Sequence, residues 1–478
     1  MKLHSEFWNR QPAFLTGLNL LIGTSSALFW EAPWNWIFIS LWCFYLIYLR
    51  SWHSILLLAG SVVYSLCLYT HSNEMPNGTK GYFSISSLQP HQTPFQKGLL
   101  YKGTLYLDGR RIPCSIHTRC ENRPSADKDY IVSGTLKQRG THEYGFKTKQ
   151  WIPIEKSFSL AELRYQAKEG LRHFLEQKLV LPRTATLLGS LMTGDVEDRS
   201  LRYEFSRVGL QHILAISGFH FGLLIAFCSF FLSLFLPSRW KLIALLIFVN
   251  AYFVFVGSSP AVQRSWLTAS LYLCGKLIGR HSTGMNLLGA ALCLEVIADP
   301  LASANLGFQL SFLSCLGILL FHPPFEQSLR RFLPKRNSSQ TDQLNLLSKH
   351  GYLLAASMRQ ALSLTLAVNI AIFPLLLYHF HQFPLLSLLY NLFFPFFLTI
   401  ALFSLLVSCL VHLFIAPAAS ILFHITDFLT AQLLDLAAYP PLALDYSIRT
   451  LAFSAWIIPF YLFVLFCLAL RFSPVENR

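Results

Sequence analysis

Charge is what this sequence has least of. Only 13% of its 478 residues are Asp, Glu, Lys or Arg, about half the share of a soluble globular domain, and that deficit excludes an ordinary soluble protein. Acids are scarcer than bases, 24 against 38, for a formal net charge of +14. No Gly-x-x-x-x-Gly-Lys-Ser/Thr loop occurs, so the chain carries no Walker-type site for hydrolysing ATP. No zinc-like cysteine spacing occurs either. Eight of the ten cysteines lie in apolar runs, where Cys behaves as a small hydrophobe. The two others, Cys114 and Cys120, do not resemble a zinc site, and they can form a disulfide only if their region lies outside the cytoplasm. His379 and His381 make a lone His-x-His, a weak metal signal. No metal or other cofactor is expected.

What is present is a succession of apolar runs. Three open the chain, at about 12–30, 34–49 and 52–70, with Trp30, Trp34 and Trp52 at their ends as interfacial aromatics stand. The first lacks a small-residue cleavage site and reads as a retained span. Nine more follow, at about 219–236, 242–257, 265–278, 284–298, 304–321, 361–378, 388–413, 417–437 and 452–470. The first three are near the roughly 20 residues a helix needs to cross ~30 Å of hydrocarbon, and several of the nine are shorter. Charge orients them. Lys2, Arg10, Arg50, Arg239, Lys241, Arg280, Arg330, Arg331 and Arg471 fall on one side, which is the cytoplasmic one by the positive-inside rule. The expected fold is therefore a mostly α-helical polytopic membrane protein of about twelve spans, multi-pass, with both termini cytoplasmic. Its parts are three spans over 1–70, an exported β domain over 71–158, amphipathic or re-entrant helices over 159–218, and about nine spans over 219–478.

Residues 71–158 carry alternating segments at 82–88, 99–107, 112–118 and 130–138, with Asp108-Gly109 as a hairpin turn. About five short strands with basic loops fit a small OB-like barrel, a fold that often binds single strands or oligosaccharides. Arg110, Arg111, Arg119, Arg123, Lys137, Arg139, Lys147 and Lys149 interleave with aromatics including Trp151. Phosphate pairing plus stacking is how single strands are held; the competing reading makes the charges a solvated surface and the aromatics core. The segment 159–181 is amphipathic, with Ser159 and Glu162 as a capping box and Pro182 as its end.

The centre of the sequence is Gly209–His220, where His212, Ser217, Gly218 and His220 lie in an otherwise apolar stretch. Polar groups at bilayer depth must face protein or water, so this stretch reads as broken backbone along a cavity, or else as a tight Ser-Gly turn with two satisfied histidines. Ser259, Gln263 and Arg264 make a second such group, and Asn369 and Asn391, each shortly before a proline, a third. These nine residues are the candidate channel lining. The alternatives are helix packing, capping and a snorkelling arginine. No nucleophile–base–acid set stands out, so no catalytic residue is assigned.

Gly209–His220 resembles the signature of the ComEC/Rec2 family of competence proteins. Leu187–Arg199, Gly257–Arg264, Gly307–Phe312 and Tyr390–Pro395 match the same family in order. The resemblance implies a bacterial inner-membrane channel that internalises single-stranded DNA during transformation. It implies membrane lipid around it, a DNA receptor outside, and a helicase or single-strand-binding protein inside. Longer members end in a metallo-hydrolase-like domain with a His-x-His-x-Asp-His motif; that motif is absent here, so a short form is expected. The competing functions are a secondary transporter of another anionic solute and an intramembrane hydrolase using Ser217.

Overall fold

The computed structural model describes residues 2–28, 30, 32–70, 80–92, 97–108, 110–119, 123–138, 144–155, 157–196, 198–216, 218–336, 345–441, 446–450 and 454–472. Helices dominate. Helix α1 (Lys2–Arg10) precedes α2 (Pro12–Leu28), α3 (Pro33–Tyr48) and α4 (Trp52–Thr70). A barrel of β1 (Lys80–Gln92), β2 (Lys97–Leu107), β3 (Arg110–Arg119), β4 (Tyr130–Gln138) and β5 (Tyr144–Pro153) follows. Then come α5 (Ala161–Lys178), α6 (Pro182–Thr193), α7 (Arg199–Arg207) and the one-turn α8 (Gln211–Leu214). The apolar bundle continues through α9 (Gly218–Phe235), α10 (Ser238–Val256), α11 (Pro260–Leu277), α12 (Gly284–Ala298), α13 (Leu306–Leu329) and α14 (Leu346–Phe380). It ends with α15 (Leu386–His412), α16 (Ala416–Ala438) and α17 (Ile457–Phe472).

A helix thus lies over every apolar run. Six of them, α9, α10, α13, α14, α15 and α16, are long and apolar enough to cross a membrane. The bundle packs by stripes. Along α15, Leu386, Tyr390, Phe394, Leu398, Ala401, Leu402 and Leu405 are buried, the three-and-four spacing of one helix face. They meet Phe205, Leu187, Leu188 and Phe423 in the largest core.

The five strands close in the order β1-β2-β3-β5-β4, with β4 returning to β1. All neighbours are antiparallel except β3 and β5. Phe83, Tyr101, Leu105, Leu107, Ile116 and Val132 fill the interior. Cys114 points into this core at 5% exposed; Cys120, with which a disulfide is permitted only outside the cytoplasm, lies outside the described residues. The strand segments read from the sequence correspond to β1–β4. The fifth strand, β5, comes from the stretch Tyr144–Pro153, whose exposed lysines hide its alternation.

Three local expectations are corrected. The capping box does not form: Ser159 Oγ donates to Ile85 O at 2.8 Å and accepts from Ala161 N at 3.2 Å, while Glu162 turns to Arg123. Pro182 does not end α5 but opens α6, where its fixed φ suits the first helical position. The prolines after Asn369 and Asn391 do not break their helices, since α14 runs through Pro374 and α15 through Pro395. Pro374 cannot donate to the carbonyl of Ile370 four residues back. That carbonyl instead accepts the Tyr461 hydroxyl of α17 at 2.9 Å.

Candidate functional site: a buried arginine beneath the barrel

The signature breaks where its polar residues cluster. Helix α8 stops after one turn, Ala215 is extended, and α9 starts at Gly218. Gly209, before the break, has φ +74, and a Cβ there would lie 2.4 Å from Ser387 Cβ at the start of α15. Only glycine fits that combination. His212 is exposed on the one-turn α8. His220 is buried at 4% exposed, beside a cavity of about 10 Å³ that Leu191, Tyr252 and Leu402 also line. That is room for about one water. Ser217 lies outside the described residues.

Arg264 is the hub. It projects from the second turn of α11 and is 8% exposed. Its Nε donates to Ser311 Oγ at 2.6 Å, and Nη1 to Cys315 Sγ at 2.8 Å, both on α13. Its Nη2 lies 3.4 Å from where a Cβ on Gly218 would stand. The signature, the Gly257–Arg264 segment and the Gly307–Phe312 segment therefore meet at one guanidinium. Of the other expected lining residues, Ser259 is exposed at the start of α11 and Gln263 is half-buried beside Arg264. Asn369 donates back along α14 to Thr365 O at 2.8 Å, and the buried Asn391 Oδ1 has no hydrogen bond. Neither asparagine bonds to the Arg264 cluster.

Helix α5 ties this region to the barrel. Arg164 donates from Nε to Val254 O at 2.6 Å and from Nη1 to Ser86 O at 2.9 Å, joining the end of α10 to β1. Lys168 Nζ pairs with Asp195 Oδ2 at 2.8 Å, both side chains at most 5% exposed, and Arg172 reaches the same oxygen at 3.6 Å. Burial holds the Lys168 ammonium below its usual range, against the opposing pull of Asp195. Asp195 follows Gly194, whose φ of +81 ends α6 and whose Cβ would meet Ile216 of the signature at 3.0 Å. At the barrel end Glu162 takes both Arg123 nitrogens at 2.8 Å and the Ala126 N–H at 3.0 Å. Burial alone would raise the Glu162 carboxyl, but these bonds, Arg123 first, leave it below its usual value.

On the barrel, Lys137, Lys147, Lys149, Arg111 and Arg119 are exposed. Arg123 is committed to Glu162 and to the Tyr165 ring. Trp151 is half-buried and packs against Phe83, Tyr101 and Tyr130 of the barrel core. The Arg110 side chain and Arg139 lie outside the described residues. The register shows something composition does not. Arg111 faces Tyr106, Tyr106 faces Tyr82, Tyr82 faces Ile131, and Ile131 faces Ile152. Directly opposite residues share a face, so one row crosses all five strands, and its two tyrosines and two isoleucines are 37–45% exposed. Tyr82 donates to Asp129 Oδ2 at 2.5 Å, a bond that with burial pushes its hydroxyl up to about 12.

A family model described as Competence protein matches residues 191–474, more than half of the chain. The chain belongs to the competence protein family. It is also 26% identical over 235 residues to ComE operon protein 3 of Bacillus subtilis (strain 168), an alignment covering 48% of this chain and 27% of that protein. The chain thus matches about a quarter of the length of that relative. No solved structure matches it.

In this competence-family chain, Asp195, Gly209, Gly218, Arg264 and Ser311 all fall in the matched stretch, whereas the barrel and α5 precede it. Ser311 was readable only as a small polar residue on a helix, and Lys168 only as one more charge on an amphipathic one. Their partners lie 47 and 27 residues away, beyond any local pattern.

Proposed function

We propose that this chain is the inner-membrane channel that carries single-stranded DNA into the bacterial cytoplasm during natural transformation. One observation carries the reading: three separated motifs of a competence protein converge on the buried Arg264, at the end of the bundle nearest the barrel. A polyanion crossing a membrane needs a receiving surface and a sparsely basic route. The barrel offers the first through its exposed lysines and the Tyr82–Tyr106 row. Gly218, His212, His220, Gln263, Ser259 and Arg264 begin the second; Ser217, Asn369 and Asn391 extend it in this reading.

The topology follows from alternation. Arg239 and Lys241 open α10, Arg280 follows α11, and Arg330 and Arg331 follow α13. Twelve crossings put all of these inside, with both termini, and put the end of α10 outside. Arg164 binds at that end, so the barrel is exported. The hydrogen bond from Asn286 Nδ2 to Arg10 O agrees, joining the starts of α12 and α2 on the cytoplasmic side. A DNA receptor delivers the strand outside, and a helicase or single-strand-binding protein draws it in. In this reading Ser217 conducts and does not catalyse, so Ser217→Ala reduces uptake without abolishing it. Deletion of the gene, followed by entry of labelled DNA into the cytoplasm at the normal rate, would refute the proposal. Accessibility labelling of cysteines placed at Lys137 or Lys147 tests the topology: reagent added outside intact spheroplasts reacts if the barrel is exported.

A further inference from the structure

The outward face of α10 ends where α5 is attached to it. Trp240, Ile243, Ile247 and Val254 are exposed, and their spacing of three, four and seven residues puts them on one side of the helix. On a helix that crosses a membrane, such a stripe meets acyl chains. Its last member, Val254, accepts from Arg164 Nε at 2.6 Å through its carbonyl. A second apolar group stands beside that bond. Phe158, Leu160 and Leu163 are 79%, 42% and 66% exposed. Leu160, Leu163, Ala167 and Gly170 recur at three and four residues and are all exposed, so one uncharged stripe runs along α5 and its cap, with Arg164 at its border. Single exposed apolar residues are ordinary, but these are contiguous and held in place. The Ser159 N–H donates to Asp127 O at 2.7 Å and its hydroxyl to Ile85 O at 2.8 Å. Phe158 and Leu160 therefore flank a backbone pinned to the barrel. Glu162, the one acid between Phe158 and Leu163, is buried and paired with Arg123.

We propose that Phe158, Leu160 and Leu163 enter the acyl chains of the outer leaflet beside α10, so that the barrel rests on the bilayer as well as on the bundle. Continuity favours lipid over a protein partner: past Arg164 the patch carries on the surface that α10 shows to lipid, and its side chains offer neither charge nor hydrogen bond. Burying them in hydrocarbon is favourable, and the backbone between them keeps its bonds to the barrel. The proposal rests on the exported barrel of the channel reading and adds to it an attachment independent of Arg164.

The test places single copies of the full chain in phosphatidylcholine nanodiscs. The fluorescent amino acid dansylalanine is incorporated in place of Phe158, of Leu163 or, as control, of the exposed Lys147 on β5. Emission is compared between discs whose lipid carries bromine on its acyl chains and discs whose lipid does not. Bromine is expected to quench positions 158 and 163 about twofold or more, as insertion to the acyl boundary requires, and position 147 little. In a further chain the fluorophore replaces Leu160 while Phe158→Ser and Leu163→Ser remove its neighbours; its quenching is expected to fall to the control value, because binding scales with buried apolar area. Quenching at 158 and 163 no greater than at 147 overturns the proposal. So does full quenching at 160 in the doubly substituted chain, which would mean that α10 alone holds the segment there. Blue-shifted emission without quenching would put protein over the patch and also overturn it. Failure of the exported topology is separable: Lys147→Cys would then react from the cytoplasmic side while quenching at 158 stays intact.

Discussion

Replacing Lys168 by Met isolates the joint between the barrel and the signature. The pair it breaks is short, 2.8 Å, and both side chains are at most 5% exposed. Breaking a buried pair by removing one partner costs about 3–5 kcal/mol, because the other charge stays buried. Here Arg172, 3.6 Å from the same Asp195 oxygen, remains as a partial partner. The expected loss is therefore at the lower end, about 3 kcal/mol. Asp195→Leu alone strands an ammonium beside Arg172, but burial already favours its neutral form, so that loss shrinks as pH rises toward the ordinary lysine range. Lys168→Met with Asp195→Leu removes both charges and leaves Arg172 paired to Glu169 at 3.0 Å. That double variant is expected to be more stable than either single one, with a coupling of about 2–3 kcal/mol. Denaturation of the purified chain in mild detergent, with exposed Lys147→Met as control, measures all four. If Lys168→Met behaves like the control, or if the two single losses simply add in the double variant, the reasoning from burial is wrong.

Other outcomes follow from the same geometry. Gly209→Ala meets both a left-handed backbone, worth about 1–2 kcal/mol, and Ser387 at 2.4 Å; the variant is expected to reach the membrane at reduced level and to lose DNA uptake, read by immunoblot and transformation frequency. Tyr82→Ala with Tyr106→Ala is expected to weaken binding of an oligo-dT strand by about 1–3 kcal/mol per stacked base, in a titration of the full chain, while Trp151→Ala lowers stability instead. The depressed Glu162 carboxyl stabilises the folded form fully above its ordinary value of 4.5 and loses that contribution as pH falls through its lower folded value. Glu162→Gln should therefore be less stable at neutral pH, with a smaller further loss in acid, by the same denaturation assay. Tyr461→Phe leaves the Ile370 carbonyl unpaired at Pro374 and should cost about 1–3 kcal/mol.

The helices were legible because their signal is local: an apolar run needs no partner to be recognised. The first four strands were legible for the same reason, through alternation. What alternation could not assign was which side of the barrel each aromatic faced. Trp151 reads as one more aromatic among lysines, and only closure of β5 onto β4 and β3 turns it inward. The register shift at Ser133/Gly134 further upsets counting along that pair. The Asn369–Pro374 pair misled because the sequence shows the missing donor and not its replacement, which comes from Tyr461, 91 residues from Ile370. Arg264 was legible as an anomaly; its meaning depended on α9 and α13 arriving at the same place.

Arg164 has a further consequence for how a polymer would be handed across. By gripping Ser86 on one side and Val254 on the other, it denies the barrel the freedom of a tethered ball. The gap between catching and threading is set by about two turns of chain, from Gly257 against Arg164 to Arg264 inside the bundle. In the channel proposed above, a captured strand would then have no slack to lose, and each nucleotide leaving the barrel would already be aligned with the entrance of the bundle.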